Sequence, residues 1–306
     1  MDGGVTERPF AELLRRGVFI ADKPQGPTSH QVSAWVRDLV GAERAGHAGT
    51  LDPRVTGVLP IAFNEATRAL DAMLAGDKEY VGVLELHQDV PEEKLRSMME
   101  RFIGPIYQMP PVRSAVKREQ RVRTIHGFDL LERDGRLVLF RTRCESGTYI
   151  RTLANDLGEA LGVGAHLADL RRTRTATFAE AQAHSIIELH DAFVFWKENG
   201  DSAGLRSLVL PMERMLDHLR KIAVKDTAVD AICHGADLAV PGVASMDAAI
   251  RKGDLVALIT GKGEGVALAH ALLTPLQVES AKKGVAADTK RVLMEPGTYP
   301  KGWRKA

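Results

Sequence analysis

Cysteine is nearly missing from this chain of 306 residues: Cys144 and Cys233 are the whole complement, and no Cys-x-x-Cys pair exists. That excludes a disulfide framework and a structural zinc, and it predicts a reducing, cytoplasmic setting. No apolar run approaches the length of a membrane span. The first residues, Met1-Asp2-Gly3-Gly4-Val5-Thr6-Glu7-Arg8, lack the apolar core of a signal peptide. Low-complexity tails are absent, and so is a complete G-x-x-x-x-G-K-[ST] phosphate loop. An excess of either charge is missing too, 41 Lys and Arg standing against 40 Asp and Glu for a net charge of +1. By itself that speaks against a polyanionic partner, but a global sum hides local clusters. Arg113, Lys117, Arg118, Arg121 and Arg123 form one cluster, and Arg171, Arg172 and Arg174 a second. Each is either a solvated loop or a patch that holds phosphates.

The elements that are present mix strands and helices without regular βαβ alternation. Val18-Phe19-Ile20-Ala21 reads as a buried strand. A turn-rich loop, Asp22-Lys23-Pro24-Gln25-Gly26-Pro27-Thr28-Ser29, then ends in a helix N-cap. The helix carries Val32, Trp35, Val36, Leu39 and Val40 on one face and stops at Gly41. Residues 80–86 and 136–144 read as strands. Pro91 opens a helix with Leu95, Met98, Met99, Phe102 and Ile103 aligned, and a further helix carries Leu153, Leu157, Ala160 and Leu161. The expected class is α+β with a mixed sheet. After about Pro211 short apolar runs such as Leu255-Val256-Ala257-Leu258-Ile259 alternate with glycines, which predicts a small β-barrel. Thr260-Gly261-Lys262-Gly263 lacks the spacing of a phosphate loop and reads as a hairpin turn.

The most unusual stretch runs Gly46-His47-Ala48-Gly49-Thr50-Leu51-Asp52-Pro53-Arg54-Val55-Thr56-Gly57-Val58-Leu59-Pro60. One carboxylate stands there among glycines, prolines and apolar residues. Gly49 and Gly57 permit backbone angles that other residues resist, and Pro53 fixes the chain just after Asp52. Two readings stay open on spacing alone. Asp52 starts an Asp-Pro turn, or it is a positioned nucleophile or base.

This stretch resembles the catalytic loop of the TruB-type pseudouridine synthases, whose pattern is close to G-H-x-G-T-L-D-P-x-x-T-G-V-L-P. Ala48 departs from the usual Thr or Gly but is small. Lys23-Pro24-Gln25-Gly26-Pro27-Thr28-Ser29 is similar to that family's K-P-x-G-x-T-S motif, which supports the catalytic loop. Lys78-Glu79-Tyr80, Gly147-Thr148-Tyr149-Ile150-Arg151 and the segment 164–174 follow in family order. The resemblance implies that Asp52 is the catalytic carboxylate. It implies that Arg151 pairs with it and keeps it ionised. Tyr80 would stack on a flipped uracil and bring a hydroxyl near its C5. Leu170 would line the pocket, and His47 would help hold the uridine out of its stack. Lys23 and Arg54 join these as expected substrate contacts. Each of these residues, taken singly, also has a plain structural reading as core or loop. Isomerising uridine transfers no phosphate and no electrons, so no cofactor and no metal is expected.

The later segments 234–242 and 253–257 look like a PUA domain, a β pseudo-barrel of RNA-modifying enzymes. The expected organisation is therefore a catalytic domain over 10–215 and a PUA domain over 216–306. Residues 113–123 are similar to the thumb loop that closes over RNA. As a whole the chain resembles the archaeal dyskerin-like branch of the family, the catalytic subunits of box H/ACA particles. That implies a guide RNA, a substrate RNA and three small proteins: a zinc-ribbon protein, a thumb-loop regulator and a kink-turn binder. RNA binding is expected at Arg113, Lys117, Arg118, Arg121, Arg123, Arg171 and Arg172. RNA-guided modification of rRNA is the leading expectation, with tRNA as a secondary substrate. A stand-alone tRNA T-loop enzyme and a non-catalytic scaffold are the alternatives.

Overall fold

The computed structural model describes residues 9–109 and 119–301. Arg113, Lys117 and Arg118 lie outside the described residues. Ten strands form the first sheet: β1 (Gly17–Lys23), β2 (Ala45–His47), β3 (Thr56–Phe63), β4 (Lys78–Leu86), β5 (Gly104–Gln108), β6 (Arg121–Asp134), β7 (Leu137–Cys144), β8 (Ala165–Thr175), β9 (Phe178–Ala179) and β10 (Val209–Pro211). Their order is β10-β1-β3-β8-β4-β7-β6-β5, with β2 on β3 and β9 on β8. The pairs are antiparallel except β3 with β8, which meet in parallel at Thr56↔Arg171 and Gly57↔Arg172. The sheet is therefore mixed, as the sequence predicts.

Alternation along the central strands sends side chains to two separate cores. Phe19, Leu59, Ile61 and Phe63 join the first, and Val18, Ile20, Val58 and Ala62 the second. Helices α1 (Phe10–Arg16), α2 (Ser29–Val40), α4 (Glu92–Arg101), α5 (Ile150–Leu161) and α6 (Ile186–Asn199) contribute to the first core, and α3 (Leu70–Ala75) to the second. The helix faces differ in detail from expectation. In α2 the buried set is Ser29, Val32, Ser33, Val36 and Val40, while Trp35 is half exposed. Ile103 lies beyond the end of α4 and is exposed, and Ala160 faces solvent on α5.

A second sheet follows: β11 (Arg220–Val224), β12 (Leu238–Ala239), β13 (Val243–Met246), β14 (Leu255–Ile259), β15 (Gly265–Ala271) and β16 (Val285–Val292), in the order β12-β16-β15-β14-β11-β13. It has a core of its own around Ile222, Val256, Leu258 and Val266. The segment Thr260–Gly263 is the β14–β15 hairpin turn, where Thr260 Oγ1 accepts from the Lys262 and Glu264 amides. Ala257, Leu268 and Leu293 of this second unit pack with Met212, Met215 and Phe178 against the back of the first sheet.

Candidate active site

Asp52 lies in the connection between β2 and β3. Its carbonyl accepts the Val55 amide at 3.0 Å, closing the turn that Pro53 begins. The turn and the projecting carboxylate therefore coexist, for the side chain is 54% exposed. The connection is pinned from below. Lys23 Nζ donates to Pro24 O, Pro53 O and Val55 O at 2.9, 3.2 and 2.9 Å. Ser29 Oγ, at the start of α2, donates to Leu51 O and accepts from its amide. Arg172 bridges the two flanks, with Nε on Val58 O at 2.8 Å and Nη2 on Gly49 O at 3.0 Å. Gly57 has φ +102°, and a Cβ there would lie 2.2 Å from Arg172 O, so only glycine lets β3 approach β8.

Arg151, in the first turn of α5, forms an ion pair with Asp52. The N-terminus of α5 is held by Gln108, which is 3% exposed and bonds both the amide and the carbonyl of Tyr149. Arg54 is exposed two residues after Asp52. Beneath the loop, Tyr80 on β4 stands across from Arg172 on β8. Burial raises the Tyr80 phenol and so favours its protonated form. Leu170, two register positions along, is buried against Gly82. Lys78 is buried as well and donates to Met73 O and Gly76 O. Burial first, then the Arg172 charge, bring its ammonium down to about 8. Cys144, across from Lys78, is pushed up to about 12 by burial and is inert as a thiol.

Residues 37–150 match the TruB family pseudouridylate synthase N-terminal domain, 151–217 the tRNA pseudouridylate synthase B C-terminal domain, and 220–293 the PUA domain. The chain belongs to the TruB family of pseudouridine synthases. This synthase is 55% identical over 297 residues to a probable tRNA pseudouridine synthase B of Methanopyrus kandleri, spanning 97% of this chain and 88% of that one. A relative of the same name from Methanosarcina barkeri is 52% identical, with 98% and 88% covered. Among solved structures, a Cbf5-Nop10-Gar1 complex contains a chain that superposes with a TM-score of 0.93 at 48% identity, covering 98% of this synthase and 92% of that chain. A box H/ACA particle bound to a substrate RNA containing 2'-deoxyuridine gives 0.90 at 46% identity, covering 98% and 92%.

Three expected RNA or substrate contacts in the synthase need correction. Lys23 is fully buried and commits its donors to backbone carbonyls, so it holds the Asp52 loop and touches no substrate. Arg172 is 1% exposed and serves the same loop. Arg171 is paired bidentately with Asp22 at 3.0 Å and also with Glu180, which cancels the charge a phosphate would need. Arg121 and Arg123 open β6, and Arg123 pairs with Glu145 at 3.3 Å beside Gly147. His47 ends β2 with its ring against that of His30, centroids 4.8 Å apart. Sequence reasoning did not single out Gln108 or Ser29 as supports of the site. Gln108 carries no signal, and Ser29 is visible only as part of a loop motif.

Proposed function

We propose that this synthase converts uridine to pseudouridine with Asp52 as the reacting carboxylate, on RNA presented by a box H/ACA guide. The observation that carries the chemistry is the half-exposed Asp52–Arg151 pair on a loop fixed by Lys23, Ser29 and Arg172. In the reaction the C1'–N1 glycosidic bond breaks, the uracil turns, and C5 joins C1' while the proton on C5 is lost and N1 gains one. Attack on C1' and removal of a sugar proton both start from an ionised carboxylate, which a guanidinium partner favours and orients. Tyr80 supplies an aromatic wall and Leu170 an apolar one, which help exclude water from the separated base.

The guided reading is supported by the superposition, across both sheets, on chains solved with Nop10, Gar1 and substrate RNA. By that likeness the chain takes a guide RNA and comparable small proteins, and works in the reducing cytoplasm that two unpaired buried cysteines suit. A second reading, stand-alone action on tRNA, is favoured by the name that relatives 48–55% identical carry. The two divide on one assay: pseudouridine formed on a bare tRNA transcript, and on a target oligonucleotide with guide RNA and accessory proteins. We expect the second to require every component and to exceed the first. Equal turnover on bare tRNA, with no gain from a guide, overturns the guided reading.

A further inference from the structure

The Asp52–Arg151 pair is more than half exposed on both sides. Water screens such a pair, so its own attraction does little to fix its geometry. The direction of the Arg151 guanidinium must then come from where α5 begins. Tyr149 is the N-cap residue of α5, and its side chain makes no capping bond. A helix start is ordinarily fixed by such a bond. Here a residue of β5 takes that part. Gln108 Oε1 accepts the Tyr149 amide at 2.9 Å, and Gln108 Nε2 donates to Tyr149 O at 3.1 Å. Tyr149 O also accepts the Leu153 amide at 3.0 Å, the bond that opens the helix. Arg151 follows two residues after Tyr149, so the backbone that Gln108 grips is the backbone that carries the guanidinium.

The turn that leads into α5 is anchored at its other end as well. Glu145, one residue beyond β7, accepts the Thr124 amide at 3.1 Å and pairs with Arg123 at 3.3 Å. Its own amide donates to Thr124 O at 2.8 Å. Glu145 O accepts the Thr148 hydroxyl at 2.7 Å and the Thr148 amide at 3.3 Å, which closes the turn. Gly147 completes it with φ +81°, and a Cβ there would meet the Arg123 guanidinium at 3.1 Å. These anchors belong to β6, the antiparallel neighbour of β5, with Gln108 opposite Arg121 and Ile106 opposite Arg123. One strand pair therefore brackets the whole turn. With Glu145 and Thr148 held, the freedom left to the start of α5 is what Gln108 removes. The task needs a donor and an acceptor on one short fork, which a side-chain amide supplies. Gln108 is also buried, shielded from solvent that would otherwise take its place.

We propose that Gln108 is a positioning residue for the reaction, fixing the start of α5 and so aiming the Arg151 guanidinium at Asp52. The proposal rests on the reading that the Asp52–Arg151 pair carries the chemistry. The test is a double-variant cycle on pseudouridine formation, in whichever substrate the assay above finds the better one. Gln108→Leu, which loses both bonds, lowers kcat about tenfold and leaves KM and RNA affinity unchanged. Arg151→Ala lowers kcat further. Adding Gln108→Leu to Arg151→Ala costs nothing more, because no guanidinium is left to misplace. Gln108→Glu gives a second reading that needs no Arg151 variant. Its carboxylate accepts but cannot donate, whereas the protonated form, which burial favours, regains the donor. Its kcat relative to the parent, compared at each pH, therefore climbs as pH falls from about 8 to about 6. Circular dichroism checks the fold of every variant, and the Gln108→Glu arm decides if Gln108→Leu does not fold. Parental turnover in Gln108→Leu, losses that multiply in the double variant, or a Gln108→Glu ratio that stays low at every pH overturns the proposal and leaves the reaction standing. Parental turnover in Arg151→Ala is a different result: it overturns the chemistry assigned to the pair.

Discussion

At the scale of single residues, Asp52 and Arg151 are set apart by what they do not do. Asp52 gives its carboxylate to no backbone amide within its turn, although Asp-Pro turns often recruit one. It faces Arg151 across an exposed ion pair. Pairs this open to water contribute little to stability. Asp52→Asn should therefore leave the unfolding free energy within about 0.5 kcal/mol of the parent. It keeps the shape and removes the charge, so turnover should fall by at least about a thousandfold while RNA affinity, measured at one stated salt concentration, stays put. Single-turnover assays with a filter-binding titration check both halves. Near-normal turnover in this variant sinks the assignment of the reacting group.

At the scale of elements, the meeting of β3 and β8 decides the shape of the site. Arg172 lies in what looks, in sequence, like a surface cluster of Arg171, Arg172 and Arg174. The fold instead buries it under the loop, bonded to Gly49 and Val58. Arg172→Lys tests this. Arg172 reaches Val58 O and Gly49 O from two different nitrogens, which the single ammonium of a lysine cannot replace, so the loop loosens at one flank. We expect kcat to fall by up to about a hundredfold with little change in KM or in the salt dependence of RNA binding. A weakened affinity with a shallower salt slope would instead make Arg172 a phosphate contact. The same region shows why part of the fold was hard to read. β8 carries no clean alternation, because its pairing with β4 shifts register at Glu79/Tyr80 and again at Val83/Leu84. Bulges break the period of two on which strand recognition depends. The strands β1, β4 and β7, α2 and the β14–β15 hairpin were legible because their apolar periods and turn residues agree with their surroundings. The Asp52 loop was legible as a motif, whereas the roles of Lys23 and Arg172 depend on burial, which a charged residue does not announce.

At the scale of the whole molecule, the two sheets are joined by more than a linker. Val18, Ile20, Val58, Phe178, Met212 and Met215 from the first share a buried cluster with Ala257, Leu268 and Leu293 from the second. Across the same boundary Arg16 donates to Leu293 O at 3.0 Å, and Arg15, which also holds Glu65 of its own unit, pairs with Glu295. Removing the second unit would expose the back of β1 and β3, so a truncation cannot report on RNA binding alone. A point change in the shared cluster is the sharper probe. Leu293 is fully buried, and Leu293→Ala should cost about 2–5 kcal/mol. Because the apolar contact is common property, calorimetry should show one unfolding transition moved down by several degrees, with both sheets melting together. Two transitions, of which only the later-sequence unit moves, would show that the sheets fold independently. In that case the Asp52 loop, which hangs from β3 and β8, would owe nothing to its neighbour, and loss of the second unit would act on RNA capture only.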